Sequence, residues 1–487
     1  MPSLSPTLYA RWRTEQVEPP ACHETKADAL PEERLLQRIW LHQRVRREAL
    51  RTLDGQPLTI LHPGFWNREA GPDFTGAIVQ IDGARPHVGD VEIDLRPENW
   101  RQHGHSGNPA YRGVVLHAVW EASGIGTSQI PTMQLKGVLD APLHELACWF
   151  GGDQPTQPPP GLVGRCAAGL AALTPRARLG LLAQAARVRL ELKGIQLEAR
   201  ARQAGWGQAL IEGLLGALGY KRNVWPMRRL GELVPRLGTS GHKLESNVLT
   251  LQARLLGLAG LLPEEFPHEK NDPDGYIRSL WDIWWRERDA FSEFILPRAA
   301  WRFDGLRPAN RPERRLALAA HWLADSDWSQ RLEDWLRAEG DPNHAAGQLL
   351  QLLQAGRDPF WEWHWTLRSR RLSVAQPLLG APRTADLTMN VILPWFHARA
   401  RAGGNQATGE RIEALYSKWP VAQENSVLRL ARQRFFAGAG EPSRRTASIQ
   451  QGLLQVVRDF CDRSNALCEG CAFPERLAAL AAPGGRE

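Results

Sequence analysis

The sequence predicts an α/β domain over residues 1–150, a linker at 151–161 and a mainly α-helical region over 162–487. Three observations carry that expectation. An amphipathic stretch at 31–49 is followed by five short β-rich runs. The segment GGDQPTQPPPG at 151–161 is too rich in proline and glycine to continue a helix or a strand. Beyond it the pattern changes to helix, rich in Leu, Ala and Arg.

In chain order, Pro31 with Glu32 and Glu33 marks a helix start, and Leu35, Leu36, Ile39, Trp40 and Val45 follow at helical intervals. Strands are expected at Leu58–His62, Phe74–Ile81, Val88–Leu95, Val114–Trp120 and Thr132–Val138, with Asp82-Gly83 as turn material between the second and third. A helix is expected around Leu143–Phe150. After the linker, helical patterns run over Arg176–Gln203 and through tryptophan-bearing segments such as Ser279–Phe294 and Leu316–Leu336. No fixed repeat period occurs, so a solenoid is not indicated. Many of the 20 tryptophans lie in these helices, where core packing is their expected role and a base-stacking surface the alternative.

At 487 residues the chain exceeds the size of one hydrophobic core, so two or three domains are expected. With 43% hydrophobic and 23% charged residues it reads as globular. It contains no run of about 18 apolar residues to span a bilayer, and the opening MPSLSPTLYARWRTE lacks the apolar stretch of a secretory signal. A cytoplasmic protein with no membrane partner is therefore expected. The formal charge of +7 and pI near 9.3 favour phosphate-rich partners, although seven lysines against 53 arginines also fit a GC-rich genome.

The segment 67–121 is the most informative about chemistry. Pairing of strands 74–81 and 88–95 around Gly83–Arg85 brings Asp73 opposite the neighbourhood of Glu92 and Asp94, and strand alternation puts Glu92 and Asp94 on one face. Three carboxylates converging at one sheet end suit Mg²⁺ or Mn²⁺, which activate water and stabilise charge on a phosphoryl group. Acids in turn and edge positions on a solvated face are the plainer alternative. His103 and His105 flank Gly104, and His117 lies on the next strand; their rings are expected either at the same site or as packing residues. Trp100 and Tyr111 are expected to anchor the core.

A helix with an acid near its start, then Gly71-Pro72-Asp73 before one strand and Glu92 within the next, resembles the PD-(D/E)xK nuclease core. The resemblance implies a restriction-endonuclease-like mixed sheet with flanking helices, metal at Asp73 and Glu92, and Glu33 as a further acid from the first helix. In that superfamily a lysine two residues after the second acid orients the attacking water. This chain has Asp94 there, which can add a metal ligand but cannot supply the charge. The wider pattern resembles the uncharacterised bacterial domain-of-unknown-function family 2851. Gly71-Pro72-Asp73-Phe74, Gly89, Val91-Glu92-Ile93, Trp100, His103-Gly104-His105 and Val115-Leu116-His117 carry that resemblance. So do Leu218-Gly219-Tyr220-Lys221 with Asn223, Arg307-Pro308 with Asn310 and Pro312, and Asn390 with Pro394.

A second constellation is Cys461-x6-Cys468-x2-Cys471. Closely spaced thiolates bind zinc or an iron–sulfur cluster, whereas six cysteines in so long a chain are too few for a disulfide framework. The spacing resembles the first three ligands of the iron–sulfur loop in endonuclease III-type glycosylases, with Leu477 where a fourth cysteine would stand. Some RecB-like nucleases staple an early cysteine to such a cluster, and Cys166 is the best candidate here, ahead of Cys22 and Cys148. Reduced cysteines packed beside a terminal helix are the alternative. Segment 307–315, RPANRPERR, reads as a turn and helix start, with phosphate contact as its functional alternative.

Together these features lead to the expectation of a metal-dependent nuclease acting on DNA, with Asp73 and Glu92 holding the metal and Asp94, His103 or His105 assisting. The alternatives are a catalytically inactive nucleic-acid-binding protein with the same fold and a helical protein-interaction scaffold.

Overall fold

The computed structural model describes residues 5–16, 30–67, 71–122, 130–143, 146–147, 163–220, 222–238, 247–263, 275–303, 306–338, 340–354, 357–436, 446–461, 468 and 471–482. The linker expected at 151–161 lies outside them, as does most of the helix expected at Leu143–Phe150. The chain divides into two compact units: Pro20–Phe150 with Ala290–Arg302, and Met1–Pro19 with Gly151–Asp289 and Phe303–Glu487.

The first unit is built on a mixed sheet. Helix α1 (Glu33–Leu41) precedes it and buries Leu36, Ile39 and Trp40 at the predicted spacing. This helix is shorter than its 31–49 pattern. Gln43 turns into the left-handed region at φ 49°, its side-chain amide donates to the Trp40 carbonyl at 2.7 Å, and Val45 forms an antiparallel bridge with Leu139. The strands are β1 (Leu58–His62), β2 (Phe65–Trp66), β3 (Phe74–Ile81), β4 (His87–Asp94), β5 (Val114–Val119) and β6 (Thr132–Gln134). Their order is β1-β3-β4-β5-β6, with β2 also on β3. Pairing is antiparallel from β1 to β4 and parallel from β4 through β6.

Each strand junction has a local cause. Asp82 and Gly83, at φ 49° and 68°, form a primed turn closed by the Ala84 N–H on the Ile81 carbonyl, which is why β3 and β4 make a hairpin. At Gly89 a Cβ would meet Val115 Cγ1 at 2.3 Å and the Gly113 carbonyl at 2.5 Å, so the approach of β5 to β4 demands glycine. The parallel return from β4 to β5 passes through helix α2 (Asn99–Gln102) and two 3-10 turns, His105–Gly107 and Pro109–Tyr111. Strand β6 stops short of the predicted Val138, because Gly137 takes φ 90° and turns the chain.

The second unit is helical. Its longest helix, α3 (Pro175–Ala204), starts at a Thr174 cap whose side chain accepts from the Ala177 N–H. Leu181, Leu182, Ala185, Val188 and Leu192 of α3 share one core with Tyr9, Trp12, Leu453, Val456, Phe460 and Phe473. A close crossing is possible because Gly452 lies against the α3 backbone, where a Cβ would sit 2.3 Å from the Leu182 carbonyl oxygen. The expected 279–294 helix is Tyr276–Glu287 followed by a 3-10 run, and the expected 316–336 helix is two, Pro312–Ala324 and Trp328–Arg337. Asp325, extended at ψ 102°, breaks the second pattern. Trp361 and Trp419 are fully buried, as core packing requires, whereas Trp285 remains 57% exposed with the Arg288 guanidinium 3.9 Å from its ring. In the 307–315 segment Arg314 and Arg315 are buried and donate to the carbonyls of Trp361 and Leu378, so both serve the fold. Among the described residues no helix is long and apolar enough to cross a membrane.

Candidate functional site

The β3–β4 register pairs Phe74 with Val91 and so sets Asp73 beside Glu92. Val91 and Ile93 point into the core from one face of β4, and Glu92 and Asp94 take the other. The parallel register pairs Glu92 with His117 on β5, which puts this histidine on the same face as the two acids.

Hydrogen bonds fix the acids tightly. The Asp73 N–H donates to Glu92 Oε2 at 3.0 Å, and Asp73 Oδ2 accepts from the Ile93 N–H at 3.1 Å. Asp73 Oδ1 accepts from the side chain of Gln37 on α1 at 2.8 Å. His117 donates from Nε2 to Asp94 Oδ2 at 2.9 Å. The α2 crossover then folds two more rings onto these acids: His103 Nδ1 lies 3.2 Å from Asp94 Oδ1, and His105 Nε2 lies 3.1 Å from Glu92 Oε1. Tyr111 stacks on His105 with ring centroids 3.9 Å apart, and Trp100 packs edge-on against both.

Two of these approaches are close without being aligned hydrogen bonds. Asp94 Oδ1 and His105 Nε2 are both buried, and neither has a hydrogen-bond partner among the described residues. Asp94, His103 and His105 each offer one ligand atom, and the three atoms lie within 4.8 Å of one another, a separation that one ion can bridge. Lone pairs that converge without satisfying each other are what a cation-binding set presents.

The electrostatics agree with the geometry. Burial, with the charge of Glu33 adding to it, pushes Asp73 up to about 7. Burial and then the charge of Asp73 push Glu92 up to about 9. Glu33, half-buried in the first turn of α1, is also raised, by burial and by Asp94. His105 is lowered by burial. Asp73, Glu92 and Glu33 thus share one low-dielectric corner with Asp94, whose charge adds to the burial that makes these three harder to ionise, and a cation would relieve them.

Of the residues singled out from sequence, Asp73, Glu92, Asp94, His103, His105 and Glu33 come together here. Asp94, His103 and His105 form the set with one-ion spacing, while both Asp73 oxygens already accept hydrogen bonds. Gln37 escaped the sequence reading, although its place four residues after Glu33 puts it on the same helix face. Arg96 is exposed. In the helical unit, Cys166 opens the helix Cys166–Ala172, Cys461 follows the helix Ala447–Asp459, and Cys468 and Cys471 precede the helix Phe473–Ala481. Cys22 and Cys148 lie outside the described residues.

No curated protein and no solved structure matches this chain. A family model does match, over residues 33–426, which contains every residue of the site from Glu33 to His117. The chain belongs to that family, described as proteins of unknown function (DUF2851).

Proposed function

We propose that the sheet unit is a metal-dependent phosphodiesterase of restriction-endonuclease-like fold that acts on nucleic acid, DNA in the first instance. The observation that carries this reading is the convergence of Asp73, Glu92 and Asp94 with His103 and His105 at one end of the β3–β4 hairpin. The order of helix, four antiparallel strands, crossover helix and parallel strand is in keeping with it. The net charge of +7 favours a polyanionic substrate.

In this reading Asp94, His103 and His105 hold the ion, with Glu92 beside His105 completing the set. Imidazole nitrogens in the set favour Mn²⁺, which accepts nitrogen ligands more readily, over Mg²⁺, which prefers oxygen ligands alone. Bound there, the ion would supply a water of lowered pKa and positive charge for the phosphoryl oxygens. His117 holds the second oxygen of Asp94 and so orients it. Asp73, pushed up to about 7, is a base of useful strength near neutral pH and takes the proton of the attacking water, with the charge of Glu33 helping to raise it.

A second reading, a nucleic-acid-binding protein that does not cleave, draws on Asp94 standing where the nuclease pattern has lysine. One experiment separates them. Purified protein is incubated with labelled single-stranded, duplex and branched DNA in Mg²⁺ or Mn²⁺, beside Asp73→Asn. Cleavage by the wild type, faster in Mn²⁺ and abolished in the variant, supports the phosphodiesterase. Salt-sensitive binding without cleavage in either metal supports the second reading, and equal cleavage by Asp73→Asn overturns the site.

A further inference from the structure

We propose that Cys166, Cys461, Cys468 and Cys471 together bind a thiophilic metal centre, a zinc ion or an iron–sulfur cluster, that staples the helix Phe473–Ala481 to the helix Cys166–Ala172. Nearly 300 residues separate Cys166 from the other three, yet the fold returns the C-terminal cysteines to the core that Cys166 enters. Cys166 and Cys461 belong to the same buried cluster, and Cys471 packs against it. Cys166, Cys461 and Cys468 are all under one-tenth exposed.

Three further features favour ligation over ordinary packing. Arg434, 1% exposed, donates from Nη2 to Cys468 Sγ at 2.8 Å. A buried guanidinium is costly unless it faces negative charge, and a thiolate-bound metal carries such charge. Arg434 also reaches the Cys166 side of the cluster: a Cβ on Gly164 would lie 3.1 Å from both Cys166 Sγ and the Arg434 carbonyl oxygen. Cys468 holds a left-handed backbone at φ 58°, rare for a side chain of its kind, and the Cys471 N–H closes a turn on its carbonyl.

The position of Leu477 explains why the fourth sulfur comes from afar. Leu477 is fully buried, and its Cβ lies 2.9 Å from where a Gly169 Cβ would be. The C-terminal helix therefore rests on the helix that Cys166 opens.

The test uses the full-length chain purified without oxygen and without added metal chelator. Metal analysis is combined with acid-labile sulfide determination and visible absorption. The expected result is about one zinc per chain, or about four iron with about four sulfide and a charge-transfer band, which distinguishes the two occupants. Cys166→Ser and Cys468→Ser should each lower the bound metal at least tenfold, while Cys22→Ser and Cys148→Ser leave it unchanged. Should a ligand variant fail to fold, alkylation of the native wild type decides: thiols at 166, 461, 468 and 471 are protected until the metal is stripped. Wild type with less than a tenth of a metal per chain, or Cys166→Ser with full metal, overturns the proposal.

Discussion

Loading the acidic cluster with Mn²⁺ at pH 7 is expected to expel protons, and their number follows from the structure. Glu92, raised to about 9, is about 99% protonated at pH 7, and Asp73, raised to about 7, is about half protonated. A divalent ion held among these groups drives both to carboxylates, so about 1.5 protons leave per ion bound. Calorimetric titration in two buffers of different ionisation enthalpy reads this number as the slope of the observed heat. Glu92→Gln should lower the slope by about one, to roughly 0.5, because the proton of Asp73 is still displaced. The apparent affinity should also rise with pH, by about thirtyfold per unit around pH 7, as release of about 1.5 protons requires. A wild-type slope near zero with metal bound would refute the reasoning, since the ion would then lie away from both acids.

Three further outcomes follow from particular contacts. Asp73 and Glu92 have folded values above their unfolded ones near 4, so their stabilising contribution is complete below about pH 4 and is lost as pH rises through about 7 and 9. Without metal, the melting temperature should therefore fall between pH 5 and 9, and Asp73→Asn with Glu92→Gln should flatten that slope in a scanning-fluorimetry series. His117→Phe removes the hydrogen bond that holds Asp94 Oδ2 and should weaken Mn²⁺ binding about 10–100-fold, measured by titration, with the sheet retained by circular dichroism. Gly89→Val places a branched side chain where even a Cβ would clash with Val115 and the Gly113 carbonyl; a loss of at least about 3 kcal/mol is expected in urea unfolding, against little change for Gly104→Asn, where the surroundings are open and asparagine tolerates the left-handed backbone.

Much of the sheet was legible because its strands are β-branched runs bounded by turn residues, and because strand parity alone set Glu92 and Asp94 on one face. The two-residue strand Phe65–Trp66 was not, since two residues carry no alternation. Nor was the assignment of Ala290–Arg302 to the sheet unit. That segment follows a helical pattern in sequence, yet the Arg302 guanidinium stacks on Phe65 at 3.9 Å and its charge adds to the burial that keeps His62 down at about 4. The two-helix break at Asp325 was readable in principle, since aspartates at 325 and 327 compete for backbone amides and favour a helix end. The acids of the site were found from a motif, but which histidine meets which acid depends on the path of the 95–113 crossover. Spacing in sequence does not encode that path.

In the proposed site the carboxylates and imidazoles at the end of β4 share one divalent ion. Anomalous diffraction from crystals grown with Mn²⁺, recorded above and below the manganese edge, tests it most directly. One strong peak is expected about 2.2 Å from Asp94 Oδ1 and from a ring nitrogen of both His103 and His105, lost in crystals of Asp94→Asn. A map with no peak among these residues, or with manganese bound only elsewhere on the chain, would contradict it.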